Sequence, residues 1–406
     1  MSTVAIQDRA NRDADSILLH GARLTGAKSL APTIREASRL TLWKGFGAIA
    51  FDWGVIVGSF AAALSFPNPV VWIIAAILIA GRQHALLVLM HEAVHYRIVR
   101  NHATNDRISN WFLAWPLFVT TEGFRADHLP HHFHLFTDQD PEWTRKRVRP
   151  EFQFPLSRKE LLVLILKDAM GFSILKMFRL LRNFSGAKQQ ETLRKEDVRK
   201  RRLRSMERIG YYVVLFSAIG YFGLVVPFLL LWVLPAFTLL FAILRVRNVA
   251  EHSNVGVDHD LHMSRNVVAP TVLERLVLAP HHVGLHLVHH LYPSVPFYNL
   301  PQIHKALQEI PEYANDALNV DTYFGLRRSS VLSDVSTPRR NEITELLGNT
   351  EDRLSEPQMD QVETVTAATE LESPGTCCDG SEASCTSALG TTQSESDMPA
   401  GVAQPV

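Results

Sequence analysis

The sequence predicts an all-α integral-membrane fold: four transmembrane helices with interfacial helices between them and a histidine-rich metal cap on the cytoplasmic side. Three observations predict it. Apolar runs fill Phe46–Phe66, Val70–Met90 and Tyr211–Leu244, and roughly 20 apolar residues cross a bilayer core. Three histidine clusters, His91-Glu-Ala-Val-His95, His128-Leu-Pro-His131-His132 and His286-Leu-Val-His289-His290, sit beside apolar segments and take eight of the 18 histidines. Basic and acidic residues balance at 41 each, yet they are segregated. The 145–208 region is strongly basic, whereas Arg353 is the only basic residue after Arg340.

Residues 1–45 are polar to amphipathic and are expected in the cytosol or on the membrane surface. Asp8, Arg9, Arg12, Asp13 and Asp15 leave no apolar signal-peptide core there, so the first apolar run is expected to act as its own insertion signal. Phe46–Phe66, interrupted only by Asp52, then Pro67-Asn68-Pro69, then Val70–Met90 reads as a transmembrane hairpin. If the second helix continues to His95 it is about 40 Å long at ~1.5 Å per residue. That exceeds the roughly 30 Å hydrocarbon layer, so its last turns should carry the first histidine box out of the bilayer.

Ile108–Thr120 is apolar but too short to span, and Pro116 breaks it, which predicts an interfacial or re-entrant segment. Leu161–Leu181 mixes apolar residues with Lys167, Lys176 and Arg179, as an interfacial helix does. Tyr211–Leu244 is long enough for two spans with a turn near Val225–Pro227. The positive-inside rule places the basic 145–208 region in the cytoplasm. Four spans then put both termini and all three boxes on that side.

The catalytic domain is expected over 46–325. Residues 326–406 read as an acidic, disordered tail. Cys377, Cys378 and Cys385 all fall in that tail, so neither disulfides nor a cysteine-based zinc site would hold the core. The charge pattern lacks the aromatic interleaving of a nucleic-acid surface, which excludes that partner.

His91 and His95 are four apart and share a helix face. The string HExxH on a helix can also mark a zinc protease with glutamate as base, but Glu92 is expected to turn off the histidine face. The other two clusters share the spacing HxxHH, whose positions i, i+3 and i+4 converge on a helical turn. Two such boxes with a helical pair are too specific for chance, and imidazole suits iron, copper, zinc and nickel.

These features resemble the membrane fatty-acid desaturase superfamily, which includes hydroxylases and related lipid oxidases. The resemblance spans roughly residues 83–304. It is carried by FRADHLPHH (124–132) followed by DQDPE (138–142), RNVAEH (247–252), and HHLYPSVPFYNLPQIH (289–304). It implies two irons held by histidines on a four-helix scaffold, O2 as cosubstrate, and a ninth ligand at His252. The implied metal ligands are His91, His95, His128, His131, His132, His252, His286, His289 and His290. An electron donor of the ferredoxin or cytochrome b5 type, not fused to the chain, is implied because no heme-binding HPGG string occurs. The implied location is a bacterial inner membrane or the endoplasmic reticulum. The lead-in to the third box, HHVGLH (281–286), departs from the family, where many relatives carry asparagines.

Imidazole ligands need their second nitrogen oriented, commonly by a carboxylate; Glu92, Asp127, Asp138, Asp140 and Glu251 are candidates. His84 reads as a packed helix residue. His134, His281 and His282 flank the boxes as possible substitutes, while His102, His259, His262 and His304 read as structural or solvated. Arg125, Arg247 and Trp143 are candidates to meet a carboxylate or headgroup, and Asp52 is one because a charge inside a bilayer is costly.

The expected activity is desaturation of a fatty acid or fatty-acyl lipid. The same iron site also allows hydroxylation, or oxidative decarboxylation of a free fatty acid to a terminal alkene. A metal transporter is the rival from another class, but transporters place ligands near the bilayer midplane, and these boxes fall at helix ends and in loops.

Overall fold

Asn68 and Pro69 start the second of two long helices joined in a hairpin. The Asn68 side chain accepts from the Val70 amide, and Pro69 occupies the first turn, where a missing N–H costs nothing. The computed structural model describes residues 27–174, 195–256, 259–325 and 328–338. The first helix, α1 (Leu42–Ser65), buries Gly45, Ile49, Asp52, Ile56, Ser59 and Ala63. Steps of four and three make one stripe. Phe46, Phe51, Val57 and Leu64 stay exposed on its other side, a face suited to lipid rather than water.

Helix α2 (Pro69–Val94) is buried at every residue from Ile79 onward except Leu87. Buried on all sides over this stretch, it is a central helix, and it delivers His91 into the middle of the protein. Helix α3 (His102–Ser109) continues into a wide turn at Asn110–Ala114 and a tight one at Trp115–Leu117. Carbonyls around the Pro116 break are met from afar: the Trp232 indole donates to Pro116 O and the Tyr212 hydroxyl to Trp115 O, both at 2.9 Å. Irregular backbone at such depth persists only where protein satisfies it.

Helix α4 (Thr121–Phe133) carries the second box and is capped by the Thr120 side chain on the Gly123 amide. Helix α5 (Arg158–Ala169) starts with a reciprocal Ser157/Glu160 capping box and runs into the region read as interfacial. Helix α6 (Lys195–Tyr221) is followed by a helical stretch, Val225–His252, whose last part is α7 (Leu239–His252). The reversal falls at Phe222–Leu224, about Gly223 with φ 66°, just ahead of the expected Val225–Pro227. Glycine takes that left-handed conformation without steric cost.

Among the described residues three helices, Leu42–Ser65, Pro69–Val94 and Val225–His252, are long and apolar enough to cross a membrane. Four were expected. The remaining candidate, α6, combines an apolar end with a start that carries Arg202, Arg204, Glu207 and Arg208.

The third box lies on a short helix, α8 (His286–Leu291). Ahead of it His281 and His282 hold φ of 52° and 56°. A Cβ on Gly284 would lie 2.9 Å from Val267 O, so only glycine fits there. Two-residue strands Asn266–Val267 and Asn319–Val320 pair in parallel beside this loop, an addition that the all-α expectation did not contain. Residues 1–26, 175–194 and 339–406 lie outside the described residues, and with them the end of the expected interfacial helix, the three cysteines and most of the tail.

Candidate metal centre

Nine histidines from α2, α4, α7 and α8 converge as two nests. His91, His95, His128, His132 and His289 place their ligand nitrogens within 4.8 Å of one another. His131, His252 and His290 do the same. His286 joins them, its Nε2 lying 3.0 Å from that of His252 and 3.1 Å from that of His290. The helical period explains the sharing. In the second box His128 and His132, four apart, face the first nest while His131 turns to the second. The third box does the reverse, with His286 and His290 in the second nest and His289 in the first.

The donor set fits metal cations on a local argument. The Nδ1 of His252 faces Met263 O at 3.0 Å, so that nitrogen carries the proton and Nε2 a lone pair. His286 Nδ1 lies 3.5 Å from Glu251 Oε1, which orients its Nε2 the same way. Two lone pairs then face each other at 3.0 Å, and a cation between them removes that conflict. In the first nest the Nε2 pairs His128–His95, His132–His128 and His289–His132 lie at 3.2, 2.8 and 3.3 Å. The buried His91 Nε2 has no hydrogen-bond partner among the described residues.

Metal binding requires neutral imidazoles. Burial first, then neighbouring imidazoles, holds His95, His128, His132, His286 and His290 well below the usual histidine range. Burial, Arg247 and His131 lower His289 to about 3. His131 is the exception. Burial works against its charged form, but Glu142 and the Asp140 hydrogen bond outweigh it and the shift is upward.

Among the five carboxylates expected behind the ligands, Asp140 takes His131 Nδ1 at 3.0 Å, and its other oxygen caps the helix at Pro141 through the Glu142 and Trp143 amides. Glu251 reaches His286 and also accepts from Arg247 Nε at 2.6 Å. Glu92 lies 3.9 Å from His91 Nδ1 and accepts the Phe297 amide at 2.8 Å, tying the first box to the loop after the third. Asp127 and Asp138 turn instead to Arg145 and Arg147.

Glu142, 4.0 Å from His131 Nδ1, went unselected although it lies in the DQDPE string. The Met263 carbonyl on His252 carried no signal in the sequence. Nor did Arg97, which donates to His95 O and Ser294 O, both at 2.8 Å.

The other histidines stay out of both nests. His84 Nδ1 contacts Val277 O at 2.9 Å. His102 stacks on Tyr96, His259 lies 3.6 Å from Glu312 and His304 meets the Tyr313 hydroxyl. His262, His134 and His282 are likewise in neither group.

His281 has a different task. Its Nε2 lies 2.7 Å from Asp52 Oδ2, while Arg82 Nη1 donates to Asp52 Oδ1 at 2.9 Å. This buried triad clamps the third-box lead-in onto α1 and α2. Arg125 is not available for a headgroup. Its guanidinium pairs with both oxygens of Asp106 and with the Val94 and Ala93 carbonyls. Trp143 packs edge-on to Phe136.

A cavity of about 510 Å³ touches both nests through His91, His128, His131, His252 and His286. Apolar side chains also line it, from Leu87 and Met90 of α2, Leu117, Phe118 and Val119, and Leu240, Phe241 and Leu244 of α7.

The fatty acid desaturase family model matches residues 67–321, a stretch that contains all nine histidines. The chain is also similar to dihydrorhizobitoxine desaturase of Bradyrhizobium elkanii, 24% identical over 317 residues that cover 75% of this chain and 87% of that protein.

Proposed function

The chain belongs to the fatty acid desaturase family, and we propose that it is a membrane non-heme diiron oxidase that desaturates a fatty acid or fatty-acyl lipid. The observation that carries this reading is the division of nine imidazoles into nests of five and four beside one cavity with apolar walls. Two irons held by these residues would supply the activation of O2, which, with two electrons and two protons, takes two hydrogens from adjacent methylenes and leaves as two waters. Desaturation is supported further by what the Bradyrhizobium relative's name says of that protein.

The protein's own residues place and shield the chain. Asp140, Glu251 and the Met263 carbonyl fix which nitrogen of their histidine faces the nest. The apolar wall buries an alkyl chain at about 0.8 kcal/mol per methylene and keeps water from it. A chain lying there passes beneath both nests.

The remaining parts of the reading are four spans, with α6 as the fourth, and boxes and termini on the cytoplasmic side of a bacterial inner membrane or the endoplasmic reticulum. The charges at the start of α6 support that orientation. A ferredoxin or cytochrome b5-type protein would deliver the electrons.

Membranes supplied with a reductase system, O2 and fatty acids of several lengths test the reading by mass spectrometry of the products. An unsaturated acid of unchanged length is expected. A hydroxy acid, or an alkene one carbon shorter, would replace desaturation by another outcome of the same site, and no lipid oxidation in iron-loaded protein would overturn the oxidase.

A further inference from the structure

The cavity lining also carries five basic side chains, and four have carboxylate partners. Lys146 pairs with Glu142, Arg245 with Asp168 and Arg247 with Glu251, all lining the same cavity. Arg145 pairs with Asp127 at 3.0 Å. Arg149 is the fifth. Its backbone caps the short helix at Pro150, and its guanidinium has no ion-pair partner among the described residues.

A half-buried guanidinium on a cavity that otherwise balances its charges is set up for one anion. The same cavity is lined by this cation, by histidines of both nests and by apolar side chains, a set that suits a molecule with an anionic head and an alkyl tail. We propose that Arg149 binds the carboxylate of a free fatty acid, so that the substrate is the acid itself rather than a thioester or a phospholipid. The inference rests on the reading above that the cavity holds an alkyl chain.

The charge count argues for the acid. A carboxylate brings one negative charge and a planar pair of oxygens that matches the guanidinium fork. A coenzyme thioester or a phospholipid would bring phosphate to a wall whose other cations are already paired. Anchoring the head also fixes which carbon lies beneath the metals, so position would be counted from the carboxyl end.

The test measures binding apart from turnover, with full-length iron-loaded protein in nanodiscs of neutral lipid, kept anaerobic and without reductant. Radiolabelled dodecanoate, methyl dodecanoate and dodecanoyl-coenzyme A are the probes. A hydrogen-bonded charge pair of this kind corresponds to roughly a ten- to hundred-fold change in affinity. Wild type should bind the acid at least ten-fold tighter than the ester. Arg149→Gln should lose that preference by weakening the acid alone, and Arg149→Lys should keep part of it.

Equal binding of the acid by wild type and Arg149→Gln would overturn the proposal, as would tighter binding of the thioester than of the acid in wild type. If Arg149→Gln weakens acid and ester alike, the residue shapes the cavity and the proposal also fails. Turnover of fatty acids in the separate product assay, with no Arg149 effect on binding, would leave the oxidase standing and remove only this inference. Arg149-dependent acid binding without turnover would do the opposite.

Discussion

Asp52→Ala should destabilise the protein far more than a single substitution in a lipid-facing helix ordinarily does. Asp52 is 0% exposed and accepts from Arg82 Nη1 at 2.9 Å and His281 Nε2 at 2.7 Å. Two hydrogen bonds to a charged group contribute about 1.5–3 kcal/mol each. Breaking one side of a buried ion pair costs about 3–5 kcal/mol, because the surviving charge stays buried. Arg82 keeps its bond to the Leu276 carbonyl, but its Nε is already without a partner among the described residues, so the middle of the range applies, about 4 kcal/mol. At about 2–4 °C per kcal/mol for a domain of this order, the melting temperature should fall by roughly 8–16 °C.

The assay is thermal unfolding in detergent micelles, followed by tryptophan fluorescence, with iron retention measured in parallel. Iron should be lost at a lower temperature, since the His281 clamp leads into the third box. The paired replacement Asp52→Leu with Arg82→Met should recover most of the stability, because a buried ion pair exchanged for apolar groups of similar volume is often neutral. A shift under about 2 °C for Asp52→Ala, or a double variant worse than the single, would refute the clamp.

Asp140→Asn should weaken iron binding by roughly 10–100-fold, seen in chelator competition, with the first-nest iron retained longer. Gly284→Ala places a Cβ 2.9 Å from Val267 O and should cost about 1–3 kcal/mol; an unchanged melting temperature would show that the third-box loop is free to shift. Asp127→Asn, by contrast, removes only a half-exposed pair with Arg145 and should leave iron content unchanged by elemental analysis.

Much of the centre was legible because metal chemistry selects residue types at fixed helical spacings. HxxHH announces three imidazoles on one turn, and His252 was found through the AEH string of the resemblance. The first box alone was ambiguous, since HEAVH has the full spacing of a zinc-protease motif. The two HxxHH boxes argue against that reading, and Glu92 holds the Phe297 amide.

What the sequence could not convey is register between distant elements. The five-and-four sharing depends on how α4 and α8 rotate against each other. Arg125 looked available because its partner Asp106 lies on another helix, and Asp138 looked like a ligand orienter until Arg147 claimed it. The clamp joining Asp52 to His281 spans most of the catalytic region, so no local pattern announces it. The small parallel strand pair escaped for a different reason: two residues are too few to show any periodicity.

Metal content resolved by nest tests the central claim most directly. Iron per chain should be about two in purified wild type. Removing a nest-specific ligand, His252→Ala in the second nest or His95→Ala in the first, should leave about one iron in either case and abolish turnover. A wild-type value of one, zinc in place of iron, or loss of all metal from only one of the two variants would contradict two nests that each hold their own ion.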